Sequence, residues 1–263
     1  MTGACLTLSD WRIRMIRFIL TVLFVVLYLI LTLIPYAVLW IVGHFDAGKK
    51  ERASLTIAKN FFGCCLKISG TRITVLGEEN LPTDHAVLFV GNHRSFYDIL
   101  IGYTLVKAPC GFVSKKEMEK FPILSSWMGN LHCLFLDREN IKNGLKTILT
   151  GIEKVKSGIS LWIYPEGTRN KQEDELPLMP FKEGSMKIAE KSGCPVIPVA
   201  MLHTADVFEN HFPKIVPTHV TVWFGEPIDL KTLSKEDQKH SGAYMQNLIT
   251  SMVQELKDRE AQN

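Results

Sequence analysis

The chain has 263 residues, 46% hydrophobic and 22% charged, with 30 Lys and Arg against 27 Asp and Glu. That balance excludes wholesale disorder. With 18 Gly and 12 Pro the chain is neither collagen-like nor low-complexity, and a net charge of +3 gives no footing for nucleic-acid binding. The charge is unevenly placed: residues 1–70 carry eight basic and three acidic side chains, residues 71–263 carry 22 and 24. The basic excess therefore accompanies the most hydrophobic stretch, as expected where a chain meets an anionic membrane surface.

From Phe18 to Val42 there are 25 residues without a charge. As a helix they would measure roughly 37 Å, more than the ~30 Å hydrocarbon core. The run is too long for a cleaved signal peptide, and no small-x-small site follows it. Pro35 should kink or end the helix. Arg12, Arg14 and Arg17 precede the run, and Lys49, Lys50, Arg52 and Lys59 follow it. This near tie under the positive-inside rule favours both ends on the cytoplasmic side, with a hairpin that enters one leaflet and bends near Pro35. Next, Leu55, Ala58, Phe62, Cys65 and Leu66 recur at helical spacing. They read either as a core-packing helix or as an interfacial one with Lys59 and Lys67 near the headgroups.

Beyond Thr71, strands and helices alternate. Strands are expected at Arg72–Leu76, Ala86–Val90, Gly111–Ser114, Ser160–Tyr164, Pro195–Leu202 and His219–Phe224, and Cys133–Asp137 is another short apolar run. Helices are expected at Ser95–Val106, Pro122–Asn130, along the stripe Ile141, Leu145, Ile148, Leu149, Ile152 and Val155, at Lys182–Lys191, and at the C terminus around Tyr244, Leu248, Met252 and Leu256. The fold class expected is α/β: a mixed sheet with flanking helices, preceded by an N-terminal membrane-embedded helical segment. Residues 1–70 form the anchor and residues 71–263 the α/β domain.

The six cysteines, Cys5, Cys64, Cys65, Cys110, Cys133 and Cys194, contain no C-x-x-C pair. In a chain able to build its own core they read as free thiols in a reducing compartment. Cys5, near the anchor, is a candidate for lipidation. Several chemistries lack their motifs: there is no G-x-S-x-G, no phosphate-cradling glycine loop and no H-E-x-x-H. His132 and Cys133 are adjacent, and a strand would send them to opposite faces, which argues against a zinc site.

Two short blocks carry the chemistry. In Asn92-His93-Arg94-Ser95-Phe96-Tyr97-Asp98, a buried strand runs into a helix. His93 falls at the strand end and Asp98 about a turn into the helix, where its carboxylate can reach back to the imidazole. Such a carboxylate fixes the tautomer and raises the basicity of the other ring nitrogen. With no partner serine motif, the nucleophile would be a hydroxyl of the substrate, and Ser95 reads as a helix N-cap. The plain alternative is that His93 caps or packs. In Tyr164-Pro165-Glu166-Gly167-Thr168-Arg169, a second strand ends in a turn. Gly167 permits the turn and Arg169 can grip a phosphate through two parallel bonds. Alone, this block could equally be a solvated turn.

Together the blocks resemble the glycerolipid acyltransferase family, most closely its 1-acylglycerol-3-phosphate acyltransferases, over roughly Leu76–Gly225. The family's Asn-His-x-Ser-x-x-Asp motif is matched by Asn92, His93, Ser95 and Asp98, and its Glu-Gly-Thr-Arg motif by Glu166, Gly167, Thr168 and Arg169. Phe135 and Arg138 match its Phe-x-x-Arg element, Val196–Val199 its apolar proline motif, Lys115 a family lysine (with Lys116 as the alternative), and Phe181-Lys182-Glu183-Gly184 its Phe-Lys-x-Gly. Tyr164 stands where Phe is commoner.

The resemblance implies a membrane-bound enzyme of phospholipid biosynthesis. It would move a fatty acyl group from acyl-CoA or an acyl carrier protein thioester to the sn-2 hydroxyl of lysophosphatidate, giving phosphatidate. His93 would be the base, assisted by Asp98. Asn92, Ser95, Lys115, Phe135, Arg138, Glu166, Gly167, Thr168, Arg169 and Lys182 would bind substrate. No metal or other cofactor and no nucleic acid is expected, and the catalytic domain would lie on the cytoplasmic face of the membrane. Other acceptors are open: another lysophospholipid, a lyso-aminolipid or glycerol-3-phosphate. Two readings from other classes are a membrane scaffold with inactive motifs and a tethered metallohydrolase using His93, Asp98 and His132.

Overall fold

The uncharged N-terminal run forms two helices, α1 (Leu8–Leu31) and α2 (Leu33–Gly43), in the computed structural model, which describes residues 8–262. The break falls at Thr32, ahead of Pro35. Proline is accommodated in the first turn of α2, where its missing N–H is no loss, so the interruption precedes it. Cys5 lies outside the described residues. Of the two helices, α1 has the length and composition to cross a membrane, over Trp11–Leu31.

Helix α3 (Ala47–Ser69) starts on Asp46, whose carboxylate accepts from Lys49 N at 2.8 Å, and ends at Gly70 with φ +74°. One side of it meets the apolar pair: Phe24 stacks on Phe61 at 5.7 Å, and Tyr28 Oη donates to Ile57 O. Its other side enters the interior, with Ala58 and Leu66 buried and Phe62 stacked on Tyr103. Periodicity left core packing and interfacial placement open; α3 packs on both sides. Lys59 faces inward, donating to Val106 O at 2.8 Å rather than pointing to headgroups.

The remainder runs β1 (Arg72–Leu76), β2 (Leu88–Gly91), α4 (Tyr97–Leu105), β3 (Cys110–Lys115), α5 (Pro122–Asn130), β4 (Leu134–Leu136), α6 (Ile141–Lys156), β5 (Ser160–Ile163), α7 (Lys187–Ser192), β6 (Val196–Leu202), α8 (Thr204–Val207), β7 (His219–Phe224), α9 (Lys235–Lys239) and α10 (Ser241–Ala261). The sheet order is β1-β7-β6-β2-β5-β3-β4. Strands β6, β2, β5, β3 and β4 are parallel, while β7 pairs antiparallel with β6 and carries β1 beside it, so the sheet is mixed as expected.

Strands β2, β5 and β6 are buried along their whole length, which requires helices on both faces. Alternation divides their side chains between two cores. Phe89 and Trp162 stack at 4.9 Å on the face covered by α3 and α4, joined by Phe112 and Tyr103. Leu88, Val90, Leu161 and Ile163 pack on the opposite face with Ile188, Met245 and Ile249 from α7 and α10.

Strand ends shift by one or two residues, and two helix starts differ from the pattern-based expectation. The helix expected from Ser95 begins at Tyr97, because the Arg94 and Ser95 amides turn toward Asp98. The helix expected over Lys182–Lys191 opens as a 3₁₀ turn, Glu183–Met186, whose Glu183 carboxylate accepts from Gly242 N and Ala243 N of α10. Tertiary bonds reset local propensity at both places.

Strand β3 passes so close to the turn before β4 that a Cβ on Gly111 would collide with the His132 carbonyl oxygen. A backbone obstacle cannot rotate away. Gly111→Ala is expected to cost about 3 kcal/mol, the upper end for overpacking, read as a lowered urea midpoint in micelles; an unchanged midpoint would mean that the turn yields freely.

Candidate active site

Five parallel strands end at one edge of the sheet, and the loops that leave them carry the candidate residues. His93 follows β2, Glu166–Arg169 follow β5, Lys115 ends β3, Arg138 follows β4 and Glu209 follows β6 and α8. In open α/β sheets this carboxyl edge is where ligands bind.

Asp98 is the centre of the first block. Its Oδ2 accepts from His93 Nδ1 at 2.6 Å, from Arg94 N at 2.8 Å and from Ser95 N at 2.9 Å. The Asp98 side chain has no exposed surface, while His93 keeps 15%. An ionised carboxylate only accepts, so Nδ1 carries the proton and Nε2 presents its lone pair. The imidazole lies flat on Tyr164, with centroids 4.1 Å apart and planes 12° off parallel. The buried Tyr164 hydroxyl has no hydrogen-bond partner among the described residues, and burial pushes its ionisation well up. Its contribution here is the ring, which Phe would supply equally.

The backbone of His93 is fixed on both sides. Its N–H donates to Glu166 Oε1 at 2.7 Å, and its carbonyl accepts from Asn170 N at 2.7 Å. Glu166 Oε2 accepts from Met179 N at 3.0 Å, so both of its oxygens are engaged by main chain. Asn92 is likewise turned to backbone: Nδ2 donates to Met201 O and Oδ1 accepts from Met201 N, locking β2 to β6. Gly167 takes φ +77°, and its N–H closes the turn onto Tyr164 O at 3.0 Å, so this amide is not free to stabilise an oxyanion. Lys182 covers the turn, its Nζ 2.9 Å from where a Gly167 side chain would begin. Thr168 is exposed.

The N-cap position of α4 falls at Phe96 rather than Ser95; Ser95 Oγ accepts from Tyr97 N at 2.9 Å and donates to Glu209 Oε2. Arg169 donates to Glu209 Oε1 at 2.8 Å and lays its guanidinium over the Phe96 ring at 3.9 Å. Through Glu209 and Glu166, the structure brings His93, Asp98, Ser95, Glu166 and Arg169 into one network. Lys115, Phe135 and Arg138 sit farther along the edge, on β3, β4 and the turn after it, with no bond to that network among the described residues. Lys116 is held by Asp137 at 2.9 Å, and hydrogen bonds from Lys116 and Asn143 keep that carboxyl well below the usual range. Lys115 is exposed and has no such partner among the described residues.

Other parts of the site left little trace in the sequence. Glu209 and Asn170 lie outside both blocks. Arg94 occupies a variable position of the first motif, yet it is buried, pairs with Glu175 at 3.1 Å and donates to the Gln172 carbonyl, pinning the loop after β5. Nearby, Glu175, His203 and Asp206 form a cluster of metal-ligand type. Its cationic partners are already present: Arg94 meets Glu175, and His203 lies between Asp206 and Glu260, whose bonds, that of Asp206 foremost, raise the imidazole to about 9. His132, required by the metallohydrolase reading, precedes β4 at the opposite sheet edge and pairs with Glu51.

Burial pushes the Glu166 carboxyl up to about 7 from its ordinary 4.5. Between these values the folded chain binds more protons than the unfolded one, so the group's contribution to stability falls as pH rises from 4.5 through 7. At about 1.4 kcal/mol per unit the change approaches roughly 3 kcal/mol. Glu166→Gln is expected to flatten this part of the profile of urea midpoint against pH. Parallel profiles for the two proteins would contradict the buried-charge account.

Comparison with known proteins agrees with this arrangement. Residues 72–202 match the acyltransferase family model. The 1-acyl-sn-glycerol-3-phosphate acyltransferase of Saccharomyces cerevisiae is 28% identical over 212 residues, 80% of this chain and 68% of that protein. The Escherichia coli enzyme of the same name is 27% identical over 210 residues, 77% and 82% of the two chains. The crystal structure of the 1-acyl-sn-glycerophosphate acyltransferase from Thermotoga maritima superposes with a TM-score of 0.72 at 27% identity, covering 92% of this chain and 98% of that one. With the family model matched across the sheet, the fold shared over 92% of the chain and both motif blocks at one edge, the chain belongs to the acyltransferase family and is most like its 1-acylglycerol-3-phosphate acyltransferases.

Proposed function

We propose that the chain transfers a fatty acyl group from an acyl-CoA or acyl carrier protein thioester to the sn-2 hydroxyl of 1-acylglycerol-3-phosphate, with His93 as general base. The supporting observation is the 2.6 Å bond between His93 Nδ1 and the wholly buried Asp98 carboxylate. It leaves Nε2 to take the proton of an incoming hydroxyl. The alkoxide then adds to the thioester carbonyl, and the tetrahedral intermediate expels the thiolate, which recovers the proton from His93. Asp98 stabilises the imidazolium formed in between. A positioned base gives ~10²–10⁴-fold. A thioester is already activated, and the sequence as written needs no metal.

Arg169, with Arg138 and Lys115 farther along the edge, would receive the acceptor's phosphate. The guanidinium is the suited group because its planar fork makes two parallel bonds. The chain would work at the cytoplasmic face. Both α1 and α2 lie against α3, and their outward residues, among them Ile19, Leu23, Ile34 and Trp40, are exposed apolar side chains. That supports a membrane anchor, from which a lysolipid reaches the edge without its acyl chain crossing water at ~0.8 kcal/mol per CH₂.

The test is thiol release from an acyl-CoA in micelles, with and without lysophosphatidate. Wild type should show lysophosphatidate-dependent release, and His93→Ala should lose it by at least about 10²-fold. Release that survives in His93→Ala would rule out this base. If no release occurs with the CoA thioester, the acyl carrier protein thioester is tried next, then other lysolipids. Arg169→Lys should raise KM for lysophosphatidate about tenfold while kcat changes little, since a point charge replaces a fork; an unchanged KM would remove Arg169 from phosphate binding.

A further inference from the structure

Glu209 belongs to neither motif block, yet it joins them. It stands in the short turn after α8, with its side chain 19% exposed. Oε1 accepts from Arg169 Nη1 and from Phe96 N, both at 2.8 Å, and Oε2 accepts from Ser95 Oγ. No other carboxylate bonds to Arg169 among the described residues. One corner of the guanidinium is held by Glu209 and one face by Phe96, leaving the remaining N–H groups for a ligand.

The turn leading into α4 thereby serves two carboxylates. Its amides at Arg94 and Ser95 bind Asp98, which holds His93; its amide at Phe96 binds Glu209, which holds Arg169. Base and arginine are thus referenced to consecutive peptide groups. A glycerol-phosphate acceptor also has a fixed relation between its free hydroxyl and its phosphate, set by its carbon chain.

We propose that Glu209 is a positioning residue for Arg169, setting the guanidinium at the distance from His93 that a hydroxyl-and-phosphate acceptor requires. The inference rests on the reading of Arg169 as a phosphate ligand. Removing a charge-assisted hydrogen bond of this kind corresponds to a loss of roughly tenfold or more in the affinity it supports.

The experiment measures kcat and KM for wild type, Glu209→Gln, Glu209→Ala, Arg169→Lys and the double variant Glu209→Ala with Arg169→Lys. Acceptors are lysophosphatidate and the phosphate-free monoacylglycerol, with thermal midpoints as a check of folding. Glu209→Ala should raise KM for lysophosphatidate about tenfold and Glu209→Gln by less, with kcat little changed. The double variant should be no worse than the poorer single one, because both changes remove one interaction. Monoacylglycerol turnover should fall much less than lysophosphatidate turnover in both Glu209 variants.

The proposal is overturned if Glu209→Ala leaves KM unchanged while Arg169→Lys raises it, or if turnover of both acceptors falls alike. If Glu209→Ala fails to fold, Glu209→Gln decides: a wild-type KM in that variant also overturns the proposal. An unchanged KM in Arg169→Lys itself would instead show that the phosphate reading fails, and the role of Glu209 with it.

Discussion

A carboxylate without solvent, at the point where β2 gives way to α4, governs the geometry of the site. Asp98 draws in two successive main-chain amides and the imidazole at one oxygen. These bonds delay the helix to Tyr97 and tie the intervening loop to one acceptor. Each bond to a charged group is worth about 1.5–3 kcal/mol, and stripping such an acceptor of its donors would cost more than any one of them returns. Any rearrangement of the loop that breaks these bonds would strand a buried carboxylate. His93 inherits its direction from that constraint, and Tyr164 and Glu166 from β5 hold it from the other side.

The sheet contributes placement and little chemistry of its own. Parallel strands need long returns, so each return starts at the same edge and each adds a loop there. Here the loops after β2 and β5, from adjacent strands, carry both motif blocks, and Asn92 and Glu166 fasten them through main-chain groups of β6 and the 179 region. Polar residues buried this deeply specify the edge more than they stabilise it, since each must find its one set of partners.

Much of this was legible in advance because the relevant signals are local. A continuous apolar run such as Leu88–Val90 marks a doubly covered strand, the Ile141–Val155 stripe marks α6, and the interval between His93 and Asp98 suffices to bring carboxylate and imidazole together. Composition also marked the apolar anchor, though the break sits at Thr32 because Pro35 fits comfortably inside a first turn. What escaped the sequence depends on contacts between distant segments. Whether α3 faces lipid or core, or both, turns on Tyr103 and Phe61 together. Glu209 is an ordinary glutamate in a short turn until folding sets it between Ser95 and Arg169. The roles of Asn92 and Glu166 were equally hidden: a motif position says that a side chain matters, while its partners, here backbone amides and carbonyls, say how.

The segment that carries Glu209 is stitched to the first helix. Phe208 stacks on Phe18 at 5.8 Å, and Ile215 N donates to the Arg14 carbonyl. Helix α3, in turn, closes the core beneath α4. A water-soluble version of this enzyme should therefore not be sought by trimming the N terminus. Cutting before α3 strips a neighbour from the 208–215 segment, and cutting after it uncovers the interior. Recolouring the outward surface is the better route. Polar residues at outward positions such as Ile19, Leu23 and Leu27, which project away from the protein, with Phe18 and Phe24 left as they are, would lower affinity for detergent and lipid while keeping the buttress intact.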